Sequence, residues 1–321
     1  MRRRLILLGV LTLALFLLSL ALPWDIVASL IGEDRGLAGA LIVELRLPRA
    51  VLALVYGGVL AASGAAIQAL FANPLASPDL TGASSGAAFG AVVTAYLIGL
   101  STPIAISLGA VAGALAALGA LLLLAGPRAE TATVLLAGLA ISALTGALTT
   151  LALALAPSPF AFYDAYDWLM GSIVDRSFAQ AAFAAVPGLL TIALLARLSG
   201  ALDALAVGEE VAQSLGHDVQ RLRVAVISLA ALGVGACVAV CGAVGFVGLV
   251  GPFFARKLVA GHPGRAILPS ALIGGALLLG ADLFTRLAPM GRTLPLGVVT
   301  AILGAPFFLA LVLHMRWRLA R

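Results

Sequence analysis

Long apolar runs, broken by short polar clusters, fill this chain from end to end. Strands of a transmembrane barrel read as alternating segments of about ten residues. These runs are longer and do not alternate, so helices are expected. A helix crossing the hydrocarbon core needs about 20 apolar residues. That yardstick predicts ten spans, at 5–22, 50–72, 82–100, 103–125, 131–156, 178–198, 223–241, 243–260, 266–285 and 296–313. The expected fold class is an all-α, polytopic membrane protein with about ten transmembrane helices, organised as a single transmembrane domain over 1–321. The two longest connections, 23–49 and 157–177, are too short to hold a soluble domain.

One break in the pattern stands out, "FANPLASPDLTGASSGAAFG" from Phe71 to Gly90. Asn73-Pro74 and Ser77-Pro78-Asp79 are turn formers, and each proline restricts the residue before it. The second span must stop there, and Thr81 is expected to cap the third. Gly82, Gly86 and Gly90 then recur every four residues, a packing stripe that would let another helix approach closely. Gly242, Gly245, Gly248 and Gly251 recur every three, which drifts around a helix and predicts a tight, irregular start to the eighth span.

Composition strengthens the membrane reading. Of 321 residues, 62% are hydrophobic and 10% charged, with a mean hydropathy of +1.15. A water-soluble domain carries about 25% charge. With Met1 inside and ten spans, 13 Lys and Arg fall on the cytoplasmic side and 6 (Arg35, Arg46, Arg49, Arg176, Arg286 and Arg292) on the outer side. That satisfies the positive-inside rule and places both termini in the cytoplasm. The net charge of +5 is therefore topological, and no nucleic-acid partner is expected. Ser19-Leu20-Ala21 resembles a signal cleavage site, but the 18-residue apolar run before it favours an uncleaved first span.

Catalytic chemistry is sparse. Gly82-Ala83-Ser84-Ser85-Gly86 matches the nucleophile elbow G-x-S-x-G, but no strand pattern precedes it. His217, His262 and His314 all fall in or beside cytoplasmic connections, away from a hydrolase constellation. No phosphate-binding G-x-x-x-x-G-K-[ST] is present, and Lys257 is the only lysine. Cys237 and Cys241, four apart on one helix, read as small core residues rather than a disulfide or metal pair. No catalytic residue, cofactor or metal site is expected. The acids avoid the span centres; Asp282 comes closest, with Arg286 four residues on and placed to pair with it. A proton-coupled carrier would be expected to keep an intramembrane acid, so what remains is a pore-forming subunit powered from outside. A proton-driven carrier stays open, discriminated by whether uptake survives ATP depletion. A membrane enzyme would be revealed by activity without partners.

Several segments together resemble one family. "LRLPRAVLALVYGGVLAASGAAIQALFANPLASPDLTGASSGAAFGA", "DWLMGSI", "ALAVGEEVAQSLGHDVQRLR", "GFVGLVGPFFAR" and "ADLFTR...LPLGVVTAILGAPFF" are similar, in the same order, to the FecCD-type permeases of iron-siderophore, haem and cobalamin ABC importers. The resemblance implies a homodimer of ten-helix subunits in the bilayer, driven by two cytoplasmic ATPases and supplied by an external substrate-binding protein. It implies a coupling helix at Gly208, Glu209, Glu210, Ala212 and Gly216. It implies that Arg46, Arg49 and Arg286 receive acidic side chains of the binding protein, and that Thr131 and Ala132 form a cytoplasmic gate. The cargo expected from it is a ferric-siderophore-type chelate, with haem or cobalamin as alternatives. Gly251-Pro252-Phe253 departs from the family's usual Val-Pro-His, so a contact near the cytoplasmic half of span eight is expected to differ.

Overall fold

The computed structural model describes residues 2–126, 131–156, 158–287 and 294–319. Every regular element among them is helical. The chain opens with α1 (Arg2–Ala21), α2 (Trp24–Glu33) and α3 (Arg35–Ala40), then a π-helical turn at Leu41–Arg46 that runs straight into α4 (Leu47–Leu70). After the break come α5 (Ala83–Tyr96), α6 (Pro103–Ala125) and α7 (Thr131–Ala154). The short α8 (Pro159–Leu169) leads to α9 (Phe178–Arg197), followed by α10 (Ser199–Leu205) and α11 (Glu209–Ser214). The remainder is α12 (Val219–Cys241), α13 (Val247–Leu258), α14 (Ile267–Leu287) and α15 (Leu296–Leu319).

All ten expected spans have a helix. Among the described residues, seven helices are long and apolar enough to cross a bilayer, and Ala83–Leu97 and Leu296–Ala310 are shorter apolar helices. The eighth expected span is α13, only 12 residues long, where 243–260 is the expected extent. Both long connections contain helix. Asp34 starts α3 by accepting from the Gly36 and Leu37 amides, and the π turn then carries the helix unbroken from Gly36 to Leu70. Ser158 caps α8 in the same way, accepting from the Ala161 amide.

The centre of the bundle is α4. Every residue from Val55 to Leu70 is buried. Its "VYGGVLAASGAAIQAL" carries small residues all round rather than on one stripe, as a fully surrounded helix must. Against α14, a Cβ on Gly57 would stand 2.2 Å from the Gly274 carbonyl oxygen. Against α13, a Cβ on Gly64 would stand 1.9 Å from the Gly248 carbonyl oxygen.

That second contact explains why α13 is short. Gly248, at its start, lies beside the second half of α4 and against Pro78, so the helix begins deep in the bundle. Residues 242–246 ahead of it are irregular, as the three-residue glycine spacing predicts. Irregular backbone at membrane depth must find partners inside the protein. Here the Ser172 amide donates to the Cys241 carbonyl at 2.7 Å, and Leu296 and Gly297 donate to Gly171 and Met170 at 2.9 and 3.2 Å. The buried Tyr56 hydroxyl closes the set by donating to the Gly242 carbonyl at 2.8 Å. Cys237 and Cys241 are free thiols in this core.

Candidate functional site

Two polar regions sit at opposite ends of the bundle. The first gathers the C-terminal ends of α1 and α14 and the start of α4. Arg46, on the π turn, donates to the carbonyls of Leu20 and Pro23 at 3.0 and 3.3 Å. Arg286 donates to the Ser19 carbonyl at 2.8 Å and to the Ser19 hydroxyl at 3.1 Å. Terminal carbonyls of a helix lack partners and carry partial negative charge, so guanidinium groups suit the end of α1. Asp282 joins the other helices. Its Oδ1 accepts from Arg49 Nε at 2.8 Å and pairs with Nη2 at 2.7 Å, while its Oδ2 takes Arg286 Nη2. The carboxylate is 1% exposed and the two arginine side chains 15% and 9%. Thr285 helps to frame the pair, donating its hydroxyl to the Asp282 carbonyl at 2.8 Å.

The structure thus brings Arg46, Arg49 and Arg286 together. It also turns their donors inward, onto partners within the chain. Spacing alone gives the Asp282–Arg286 pair, four residues apart on one helix. The Arg49–Asp282 bond joins residues 233 apart in sequence, and no local signal announces it.

At the opposite end, α10 and α11 form a platform between α9 and α12. Ala212 is fully buried in a small core with Ala204 and Val219. Val207, Val211 and Leu215 face outward, 72%, 39% and 64% exposed. Glu209 and Glu210 lie in the first turn of α11, where negative charge meets the positive end of the helix dipole. Gly208 precedes them with φ of 140°, a conformation open to glycine and few other residues. Gly216 follows in the left-handed region, and its amide donates to Gln213.

Three ties hold this platform, and none is evident in the sequence: Arg265 Nε pairs with Asp203 Oδ2 at 3.8 Å, and two shorter bonds join it. The Gly264 amide donates to Asp203 Oδ1 of α10 at 2.8 Å. Arg223 of α12 pairs with Glu209 Oε1 of α11 at 3.0 Å.

The turn after α4 lies at this same end. Pro78–Thr81 forms one 3-10 turn capped by Ser77, which accepts from the Asp79 amide; Thr81, expected to cap α5, ends this turn instead, one residue ahead of the capping position, and accepts from the Ala83 amide at 3.4 Å. The Thr81 hydroxyl donates to the Pro78 carbonyl at 2.7 Å, and left-handed Gly82 takes the capping position of α5. Asp79 accepts from the Ser84 hydroxyl at 2.9 Å, and its carbonyl accepts from Ser142 of α7 at 3.2 Å. Gly86 and Gly90 lie against α6, where added Cβ atoms would come within 2.7 and 2.2 Å of the Gly113 and Gly109 carbonyl oxygens. Gly82 stands outside that contact, against Ile141 of α7.

Ala132, near the start of α7, is exposed, whereas the side chain of Thr131 lies outside the described residues, as do Arg128 and Arg292. Phe253 makes a specific contact of its own. Lys257 Nζ sits 4.2 Å from its ring centroid, and Phe307 of α15 meets it edge-on at 5.2 Å. A cation held over an aromatic face and a T-shaped ring pair both stabilise this corner.

The sequence matches the FecCD transport family over residues 5–314. The vitamin B12 import system permease protein BtuC of Vibrio cholerae is 42% identical over 84% of this chain and 81% of its own length. The Fe(3+)-citrate import system permease protein YfmE of Bacillus subtilis is 35% identical over 90% of this chain and 86% of its own. The achromobactin transport system permease protein CbrC of Dickeya dadantii is 37% identical over 92% and 84%. Among solved structures, an inward-facing metal-chelate type ABC transporter superposes with a TM-score of 0.87, at 29% identity, covering 98% of this chain and 100% of that one.

Proposed function

Because the chain belongs to the FecCD transport family of ABC importer permeases, we propose that it passes a whole metal chelate across the bacterial inner membrane as one half of a homodimer. All of 1–321 serves as a single permease domain. Two separate ATPases supply the energy at the α10–α11 end, and a substrate-binding protein delivers cargo at the arginine end. Both termini lie on the ATPase side, in keeping with the 13-to-6 division of basic residues.

One observation carries the reading. Beyond the ends of α9 and α12, in a polar connection, Val207, Val211 and Leu215 are left exposed around α11 while Ala212 anchors it from behind. Apolar side chains grouped among acids and turned away from the core mark a surface made for a protein partner. Gly208, Glu209, Glu210, Ala212 and Gly216 are then the coupling helix and its bounds.

At the other end, two guanidinium groups, Arg49 and Arg286, converge on a single, fully buried carboxylate, Asp282, with Arg46 beside them on the Leu20 and Pro23 carbonyls. We read this corner as the dock for the binding protein, since planar guanidinium forks suit incoming carboxylates. Ala132 and Thr131 serve as the inner gate, where small residues let two copies close on each other.

For the cargo, a ferric-siderophore-type chelate is the expectation. The higher identity to a vitamin B12 permease, 42% against 35% and 37% for two iron-chelate permeases, favours cobalamin as a second reading. The deciding measurement uses the assembled complex in proteoliposomes with its binding protein and ATP, offered radiolabelled cyanocobalamin and ferric siderophore in turn. Accumulation of one chelate identifies it. Uptake that persists without ATP under a proton gradient would overturn the importer reading.

A further inference from the structure

The ties on the α10–α11 platform are unequal, two falling on Asp203 of α10 and one on Glu209 of α11. α10 is fixed. Asp203 receives the Gly264 amide at 2.8 Å, and a Cβ on Gly264 would stand 1.9 Å from the Ser199 carbonyl oxygen, so α10 and the connection into α14 move together. α11 is lightly held. Between the two helices stands Gly208, at φ of 140° and with nothing within 4 Å of where its Cβ would be. A glycine in open space at such a dihedral is a natural pivot. Past the pivot, α11 meets the bundle through buried Ala212 and the Glu209–Arg223 pair.

Arg223 stands at a junction. Its side chain is 16% exposed, while Glu209 is 58% exposed. Besides Glu209, it lines a narrow crevice with Leu122, Ala125 and Gly126 at the end of α6 and Val134 at the start of α7. The start of α7 also carries the proposed gate residues, Thr131 and Ala132. An ion pair this open adds little to the stability of the fold. Its geometry does something else, because it links the one tiltable helix of the platform to the residue lying between α11 and the gate.

We propose that Arg223 is a positioning residue that transmits movement of α11, pivoting at Gly208, to the end of α6 and the start of α7 through its ion pair with Glu209. The proposal rests on the coupling and gate readings above. Tilting of α11 by the ATPases pulls Glu209, Arg223 follows within its crevice, and the ends of α6 and α7 shift with it.

The test uses the complete complex, two permease subunits with their ATPases, in lipid nanodiscs. Ala132→Cys carries a nitroxide in each copy, and the distance between the two labels is read by pulsed electron resonance with and without ATP and vanadate. Buried Cys237 and Cys241 leave the engineered position as the site of labelling. Without further change, nucleotide shifts the distance. Arg223→Gln is expected to cut the shifted population at least about fivefold, in the range of measured coupling effects, while the ATPases remain bound and active. Arg223→Lys, which keeps a cation within reach of Glu209, retains the shift. Should Arg223→Gln fail to assemble, Glu209→Gln is read in the same way and is expected to lose the shift. A full shift in Arg223→Gln or Glu209→Gln overturns the proposal. If Val211→Asp abolishes the shift while Arg223→Gln does not, the coupling helix stands and the Arg223 route falls. If Val211→Asp leaves both assembly and shift intact, the coupling reading itself falls, and this proposal with it.

Discussion

Gly57 and Gly274 face each other across the α4–α14 contact so closely that a methyl group on either would strike backbone. The Cβ of an alanine at 57 would lie 2.2 Å from the Gly274 carbonyl oxygen, and one at 274 would lie 2.1 Å from that of Gly57. Backbone cannot rotate away as a side chain can, so the two helices would have to separate. Overpacking of this kind costs about 1–3 kcal/mol. Gly57→Ala and Gly274→Ala are each expected to lower the unfolding temperature in detergent. Gly280, on the same face-rich helix, has nothing within 4 Å of its Cβ position. Gly280→Ala is expected to leave stability unchanged or to raise it by up to about 1 kcal/mol, the helix-propensity gain.

Asp282 holds Arg49 and Arg286 on its two oxygens while itself 1% exposed. Removing one member of a buried ion group strands the others, at a cost of about 3–5 kcal/mol. Asp282→Asn is therefore expected to destabilise far more than Arg46→Ala, whose lost bonds are to the backbone carbonyls of Leu20, at the end of α1, and Pro23, just beyond it. Thermal unfolding of the two variants side by side checks the order. For docking, Arg46→Glu, which leaves the Asp282 group intact, is expected to weaken binding-protein affinity while basal ATP hydrolysis continues. Unchanged affinity in that variant refutes the docking role of Arg46.

Val211 is 39% exposed and Leu215 64%, both turned away from the small core behind α11. Val211→Asp with Leu215→Asp changes no buried contact of the free subunit. The variant is expected to fold normally and to lose at least about 2 kcal/mol of ATPase affinity, the scale of an interface hot spot. Co-purification of the ATPases with the permease, together with its circular dichroism, separates the two effects.

Cys237 and Cys241 are fully buried. In the folded protein both are expected to resist a water-soluble maleimide for hours and to react once dodecyl sulfate unfolds the bundle. Mass spectrometry before and after unfolding reads the outcome.

Helix number and class were legible in the sequence because a bilayer leaves few choices. Any chain that crosses it must satisfy its backbone locally and show about 20 apolar residues to lipid. The ten spans, the Asn73–Asp79 break and the irregular segment before α13 all follow from such local signals. So does the Asp282–Arg286 pair, set by helical spacing.

What the tertiary structure alone decided lies between helices. It placed Arg49 on Asp282, Arg223 on Glu209 and Asp203 on Gly264, and it matched Gly57 with Gly274. It made α13 short by packing Gly248 against Pro78 and the second half of α4. The physical reason is one of range. Span and turn signals are written by neighbours a few residues apart, while these contacts depend on which helix faces which, and lipid-like side chains on every helix leave that choice unmarked until the small residues and the few charges find one another.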